Sequence, residues 1–187
     1  MSKVGNNIVT QGLSGMLGNQ LVFRMRGSQT YVGKAPVKKE RIQTDAQIEH
    51  QRRWQEAILY GKGAIATPEM KDAYKAAAGE NQSAFNVAVA DFMNAPHIDE
   101  INISQYTGQP GSTILVRAVD DFNVAEVTVT IYNPDGSLVE QGLAVAEAGG
   151  SSWKYTATTV NGDLSGDKIV IRVSDIPGNL TEENRTI

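Results

Sequence analysis

Apolar residues change their spacing along this chain near residue 100. Between residues 44 and 93 they recur at helical intervals. In "TDAQIEHQRRWQEAILYGKGAIA", positions 47, 50, 54, 57, 58, 61, 64 and 65 fall near one helical face, so Trp54, Ala57, Ile58 and Ile65 form a stripe with Gly61 and Ala64 as points of close approach. Thr44 followed three residues on by Gln47 is a capping box, which satisfies two of the free N–H groups at a helix start. "TPEMKDAYKAAAG" repeats the pattern, with Thr67 as cap, Pro68 at the first helical position and Gly79 past the end. A third helix is predicted from Ser83 to Phe92, burying Phe85, Ala88, Val89 and Phe92, and Pro96 prevents its continuation.

From Ile101 onward the period drops to two. "STILVRAV", "AEVTVTIY", "GSLVEQ", "SWKYTATT", "DKIVIRVS" and "NLTEENRTI" read as short strands separated by turn material such as "NPDG" and "NGDLSGD". That many strands in so short a segment predict an antiparallel sandwich, with Trp153, Tyr155 and Val127 in its core. Upstream, "QLVFRMR" and "QTYVGK" predict a hairpin turning at Gly27 and Ser28, with Leu21, Phe23 and Met25 on one face and Val22, Arg24 and Arg26 on the other. Residues 1–20 carry Gly5, Gly12, Gly15 and Gly18 and few large apolar side chains. They are expected to form an irregular arm, mobile in the isolated monomer and ordered in an assembly. The glycines three apart do not make a phosphate loop, because neither a Gly-Lys-Ser/Thr ending nor the dinucleotide spacing is present.

"VSDIPGNLTEENRTI" resembles the closing strands of bacterial immunoglobulin-like domains: a strand ends in Asp175, the turn carries Gly178 and Asn179, and a Thr-rich edge strand follows. "RAVDDFNVAEVTVTIYNPDG" is similar to an earlier strand pair of such modules. This resemblance spans residues 101–187 and implies a fold, not a ligand. The front half, with glycines three apart, "GNQLVFR", a turn, a basic segment around a proline and "TDAQIEHQRRW", resembles small uncharacterised bacterial and phage-associated proteins. That resemblance implies no activity. It implies a setting among bacteriophage or prophage structural genes, where immunoglobulin-like modules decorate capsids, tails and fibres.

The expected fold class is therefore α+β in two domains: residues 1–95 as arm, β-hairpin and three-helix docking unit, and residues 101–187 as an all-β immunoglobulin-like sandwich. The boundary is placed between Asn94 and Ile101, in the polar, turn-like "NAPHIDE". Charge follows the same division. Residues 1–60 hold nine basic side chains against four acidic ones, whereas residues 100–187 hold five against twelve. Such an asymmetry suits two surfaces for two neighbours. No cysteine is present, no run of apolar residues reaches the length of a membrane span, and no export signal is seen. The expected location is a virion, or the cytoplasm before assembly.

Chemistry is sparse. The only histidines, His50 and His97, lack metal-ligand spacing, and Ser14 and Ser151 have no base and orienting acid near them in sequence. No catalytic, cofactor-binding or metal-ligating set is expected, and the protein is read as a non-enzyme with no cofactor. A minor alternative places calcium among Asp120, Asp121 and Asp175 at one end of the sandwich, although no calcium-loop pattern accompanies them. The remaining feature is a basic patch: Arg24, Arg26, Lys34, Lys38, Lys39 and Arg41, continued by Arg52 and Arg53 on the first helix. Clustered charge of this kind suits docking to protein carboxylates or contact with a polyanion. Phe23 and Tyr31 are its only rings, so protein docking ranks first.

The reading that results is a structural or interaction protein, most concretely an accessory bacteriophage virion protein on capsid or tail. Its partners are other protein subunits, with homo-oligomerisation compatible and no membrane involved. A nucleic-acid-associated protein with a basic N-terminal arm is the alternative. A carbohydrate- or surface-binding adhesin module is a further one.

Overall fold

The computed structural model describes residues 2–4, 8–37 and 42–187, and among these the chain is mixed α+β, with three helices and twelve strands in three antiparallel sheets. Lys38, Lys39 and Arg41 lie outside the described residues. The chain divides into two compact units, Met1–Gln51 with Ala78–Gln82, and Arg52–Ala77 with Ser83–Ile187.

The first unit is built on one sheet. Its strands β1 (Ser2–Lys3), β2 (Gly15–Leu17), β3 (Leu21–Arg26) and β4 (Gln29–Lys34) lie in the order β1-β4-β3-β2. The predicted hairpin is β3–β4, in which Arg26 pairs with Gln29 across a two-residue turn. Gly27 there adopts a φ of +57°, as the primed turns of tight hairpins require. The expectation of an irregular arm is corrected at both ends: β2 pairs Met16 with Val22, and β1 pairs Ser2 with Val32. Backbone pairing drives this, since both sides of the hairpin otherwise present unpaired N–H and C=O groups. The expected apolar face is also only partly right, because Phe23 is buried while Leu21 and Met25 are exposed.

The helices are α1 (Asp45–Ala66), α2 (Pro68–Ala77) and α3 (Ala84–Met93). The capping box forms as predicted: the Thr44 N–H donates to Gln47 Oε1 at 3.1 Å and the Gln47 N–H to Thr44 Oγ1 at 3.3 Å. Ser83 caps α3 by accepting from the Asn86 N–H at 3.2 Å. Of the α1 stripe only Ala57 and Gly61 are buried, and Trp54 is exposed. Gly61 is a true close approach: a Cβ there would lie 2.8 Å from Val89 Cγ2 and 3.0 Å from the Phe85 ring. On α3, Ala88 and Val89 are buried as expected, Phe85 and Phe92 are half-buried, and Asp91 is buried as well.

Eight further strands follow. One sheet orders β5 (His97–Asn102), β6 (Thr113–Val119), β10 (Ser152–Thr156) and β9 (Val145–Ala146); the other orders β12 (Leu180–Thr186), β11 (Lys168–Asp175), β7 (Val124–Tyr132) and β8 (Leu138–Leu143). Alternation places every second residue inward. Ile114, Val116 and Ala118 of β6, Val127, Val129 and Ile131 of β7, and Ile169, Ile171 and Val173 of β11 are completely buried in one shared core. Tyr155 joins them, while Trp153 is only partly buried against the cluster. The segment expected as a linker is a correction. "NAPHIDE" contributes β5, which pairs with β6 and buries Ile98, and the Pro96 carbonyl accepts from Thr181 Oγ1. Ile98 and Ile101 stand three apart because the register shifts between Ile98 and Glu100, an irregularity common on edge strands, and Pro96 stands just before the strand. The helices from Arg52 onward and the two sheets thus fall in the same compact unit, a division different from residues 1–95 and 101–187.

Candidate functional site

Three carboxylates converge in the second unit. Asp91 comes from α3, Asp120 from the loop between β6 and β7, and Asp175 from the end of β11, and one oxygen of each lies within 4.8 Å of the others. Asp91 is 1% exposed and Asp175 3%, whereas Asp120 is half-buried. Each is aimed by local backbone structure. The register of β11 against β7 shifts between Ser174 and Asp175, an irregularity of the kind that re-aims a side chain at a strand end. Asp175 Oδ1 then accepts from the N–H groups of Gly178 (2.8 Å) and Asn179 (2.6 Å), while Oδ2 accepts from Asn179 Nδ2 at 2.7 Å. Asp120 Oδ2 accepts from the Phe122 N–H at 3.1 Å, closing a short turn.

Asp91 is held from the helices. Tyr74, fully buried on α2, donates to Asp91 Oδ2 at 2.6 Å, and Tyr60 of α1 lies 2.8 Å from the Tyr74 hydroxyl. Because Tyr74 has one proton and spends it on Asp91, Tyr60 is the donor of that second bond. Tyr74 stacks on Phe122 with ring centroids 4.2 Å apart, and Tyr60 on Phe92 at 5.4 Å. Two oxygens have no partner: Asp91 Oδ1 and Asp120 Oδ1 are buried without a hydrogen bond. Among the described residues no basic side chain lies within 4.0 Å of the three carboxylates. Burial pushes the Asp91 carboxyl up to about 7; the Tyr74 hydrogen bond opposes the rise, while the charge of Asp120, a hydrogen bond to Asp120 that the protonated acid can make, and the charge of Asp175 add to it.

Sequence reasoning named Asp120 and Asp175 for this end of the molecule, and the structure brings both together. The third member differs. Asp121 is engaged elsewhere, its Oδ2 accepting from Asn94 Nδ2, and Asp91 takes its place. One signal for Asp91 was in the sequence: it is the only charged residue of "AFNVAVADFM" and stands three residues after Ala88, on the face that packs inward.

Other buried polar groups serve as single pins. Glu140 Oε2 accepts from the N–H groups of Thr158 and Thr159, at 2.9 and 3.2 Å, and from Thr158 Oγ1. Asn161 links the fully buried Asp167 to the Tyr106 hydroxyl.

The described basic residues of the first sheet do not all share one face. Cross-strand pairing sets Lys3 opposite Tyr31 and Tyr31 opposite Arg24, so these three share a face with Arg26, whose guanidinium lies 5.9 Å from the Tyr31 ring centre. Lys34 pairs with Leu21 and belongs to the other face, which also carries Leu17 and, farther along, Met25. Lys3, Arg24, Arg26 and Lys34 are all exposed. Arg52 and Arg53 belong to the second unit, where Arg53 donates to Asn179 Oδ1 at 3.1 Å.

No family model matches the chain, and no curated protein matches it. Among solved structures, CopC from Methylosinus trichosporium OB3b is similar over 48% of this chain and 87% of its own, at 16% identity and a TM-score of 0.36. A likeness that slight carries no argument about the fold or its use. No described helix is long and apolar enough to cross a membrane.

Proposed function

We propose that the protein is a non-enzymatic interaction module of a larger protein assembly, docking through the sheet of its first unit and displaying the two-sheet unit as an immunoglobulin-like domain. The observation that carries this reading is the imbalance of the first sheet. Its described residues bury only Phe23 and Thr30, with Ala35 just past β4, while Met16, Leu17, Leu21 and Met25 stand 40% exposed or more. A small sheet with so little enclosed apolar surface gains most from a second layer. The exposed charges beside it, Lys3, Arg24 and Arg26 on one face and Lys34 on the other, suit a protein partner that offers apolar side chains rimmed by carboxylates. The resemblance of the front half to phage-associated proteins makes an accessory virion component, on capsid or tail, the most concrete form of this reading.

The row Lys3, Tyr31, Arg24 with Arg26 supports a second reading, in which a base stacks on Tyr31 between cations. One experiment separates the two. Full-length protein is followed through a density gradient of particles from the producing cells, beside an Arg24→Glu/Arg26→Glu variant. Co-migration of the wild type, reduced severalfold in the variant and unchanged by nuclease, is expected. Absence of the wild type from particle fractions, or its release by nuclease, overturns the docking reading.

A further inference from the structure

We propose that Asp91, Asp120 and Asp175 bind one hard divalent cation, calcium by its chemistry, and that the ion ties the C-terminal end of α3 to the two loops at this end of the sheets. Three acidic groups from three separate segments meet with no basic side chain within 4.0 Å among the described residues, Arg53 reaching Asp175 only through Asn179. Burying unpaired carboxylates is costly, and proteins resolve such clusters with a proton or a metal ion. The two buried oxygens without partners, Asp91 Oδ1 and Asp120 Oδ1, are the atoms left over when every local hydrogen bond has been made. A shared proton would satisfy that pair alone. A cation would also engage Asp175, which the irregular end of β11 and the turn at Gly178 hold within the same 4.8 Å.

The donor set decides the type of ion. All three donors are carboxylates, with no imidazole or thiolate, which favours a hard ion over zinc or copper. Calcium takes oxygen ligands at roughly 2.3–2.6 Å, so ligands on opposite sides of it sit up to about 5 Å apart, whereas magnesium needs about 2.0–2.1 Å in a near-ideal octahedron. Oxygens that all lie within 4.8 Å of one another fit inside such a calcium shell.

The test uses the full chain, stripped with chelator and exchanged into metal-free buffer at pH 7.5. Calcium chloride is titrated by calorimetry, and thermal unfolding is followed with calcium, with magnesium and with sodium chloride at matched ionic strength. One calcium per chain and a saturable rise in Tm, larger than magnesium gives, are expected. Asp120→Asn keeps an acceptor for the Phe122 N–H and removes one charge. It should fold with an unchanged circular-dichroism spectrum and weaken calcium binding at least tenfold. Absence of binding heat and Tm shift at 10 mM calcium (~10 mM exceeds the weakest calcium modules) overturns the proposal. So does an equal shift from sodium chloride, or calcium binding that Asp120→Asn leaves intact.

Discussion

Asn179 Nδ2 lies 3.0 Å from the carbonyl oxygen of Asn94, 85 residues earlier in the chain, and 3.1 and 3.3 Å from those of Phe92 and Asp91. These are the carbonyls that the end of α3 leaves without helical partners, so one side chain from the β11–β12 turn closes the helix. The same nitrogen lies 2.7 Å from Asp175 Oδ2, so its two hydrogens are shared among these four acceptors, and the amide oxygen accepts from Arg53. Asn179→Ala removes the whole set and leaves several acceptors facing each other. A loss of about 1–3 kcal/mol is expected in urea unfolding, with the amides at the end of α3 exchanging faster. A variant as stable as the wild type would show that water replaces Asn179 without penalty.

Tyr74→Phe tests the chain from Tyr60 to Asp91. The ring stays, including its stacking on Phe122, but the 2.6 Å bond to Asp91 is lost and Tyr60 loses its acceptor. Because Tyr74 is fully buried, about 1–3 kcal/mol should be lost. Tyr60→Phe, which leaves the Tyr74–Asp91 bond in place, should lose less. Chemical denaturation of both variants checks the order.

Backbone conformation predicts a contrast between two glycines before β6. Gly108 has a φ of +72°, and a Cβ there would lie 2.4 Å from the Asn161 carbonyl oxygen. Gly111 has a φ of +90° with nothing within 4 Å. Gly111→Ala should cost about 1–2 kcal/mol from left-handed strain alone. Gly108→Ala adds a clash with rigid backbone and should cost more, enough to lower Tm by several degrees further. Equal Tm values for the two variants would contradict this account.

Alkaline pH should destabilise the fold. Burial pushes the Tyr155 hydroxyl above the ordinary tyrosine range, with the Glu140 charge adding to the rise, and Tyr60, Tyr74 and Tyr106 are raised in the same direction. A raised folded-state pKa means that the native state holds its proton after the unfolded chain has released it. The contribution is therefore complete below the unfolded value of about 10 and is lost as pH climbs above it. Urea midpoints between pH 8 and 11 should fall beyond pH 10, and Tyr155→Phe should flatten part of that fall.

Local pattern was enough for the elements. Thr44 with Gln47, Ser83 before α3, Gly27 in the hairpin and the alternation of Val127, Val129 and Ile131 are each decided within a few residues, because capping, turn geometry and strand period are local physics. Beyond the local hairpins, which strands pair was decided only in three dimensions. The edge positions of β1 and β5 depend on partners 13 or more residues away, whereas β2 pairs with β3 only a few residues on, and short polar segments carry little signal of their own. The acidic site has the same origin. Asp120 and Asp175 were legible as loop acids at one end of the sheets, but Asp91 enters only because α3 ends against that loop, and its burial is a property of packing. The same pairing splits the basic run, putting Arg24 and Arg26 beside Tyr31 and Lys34 on the opposite face, since neighbours along a chain alternate sides in a strand while charge counted along the sequence does not.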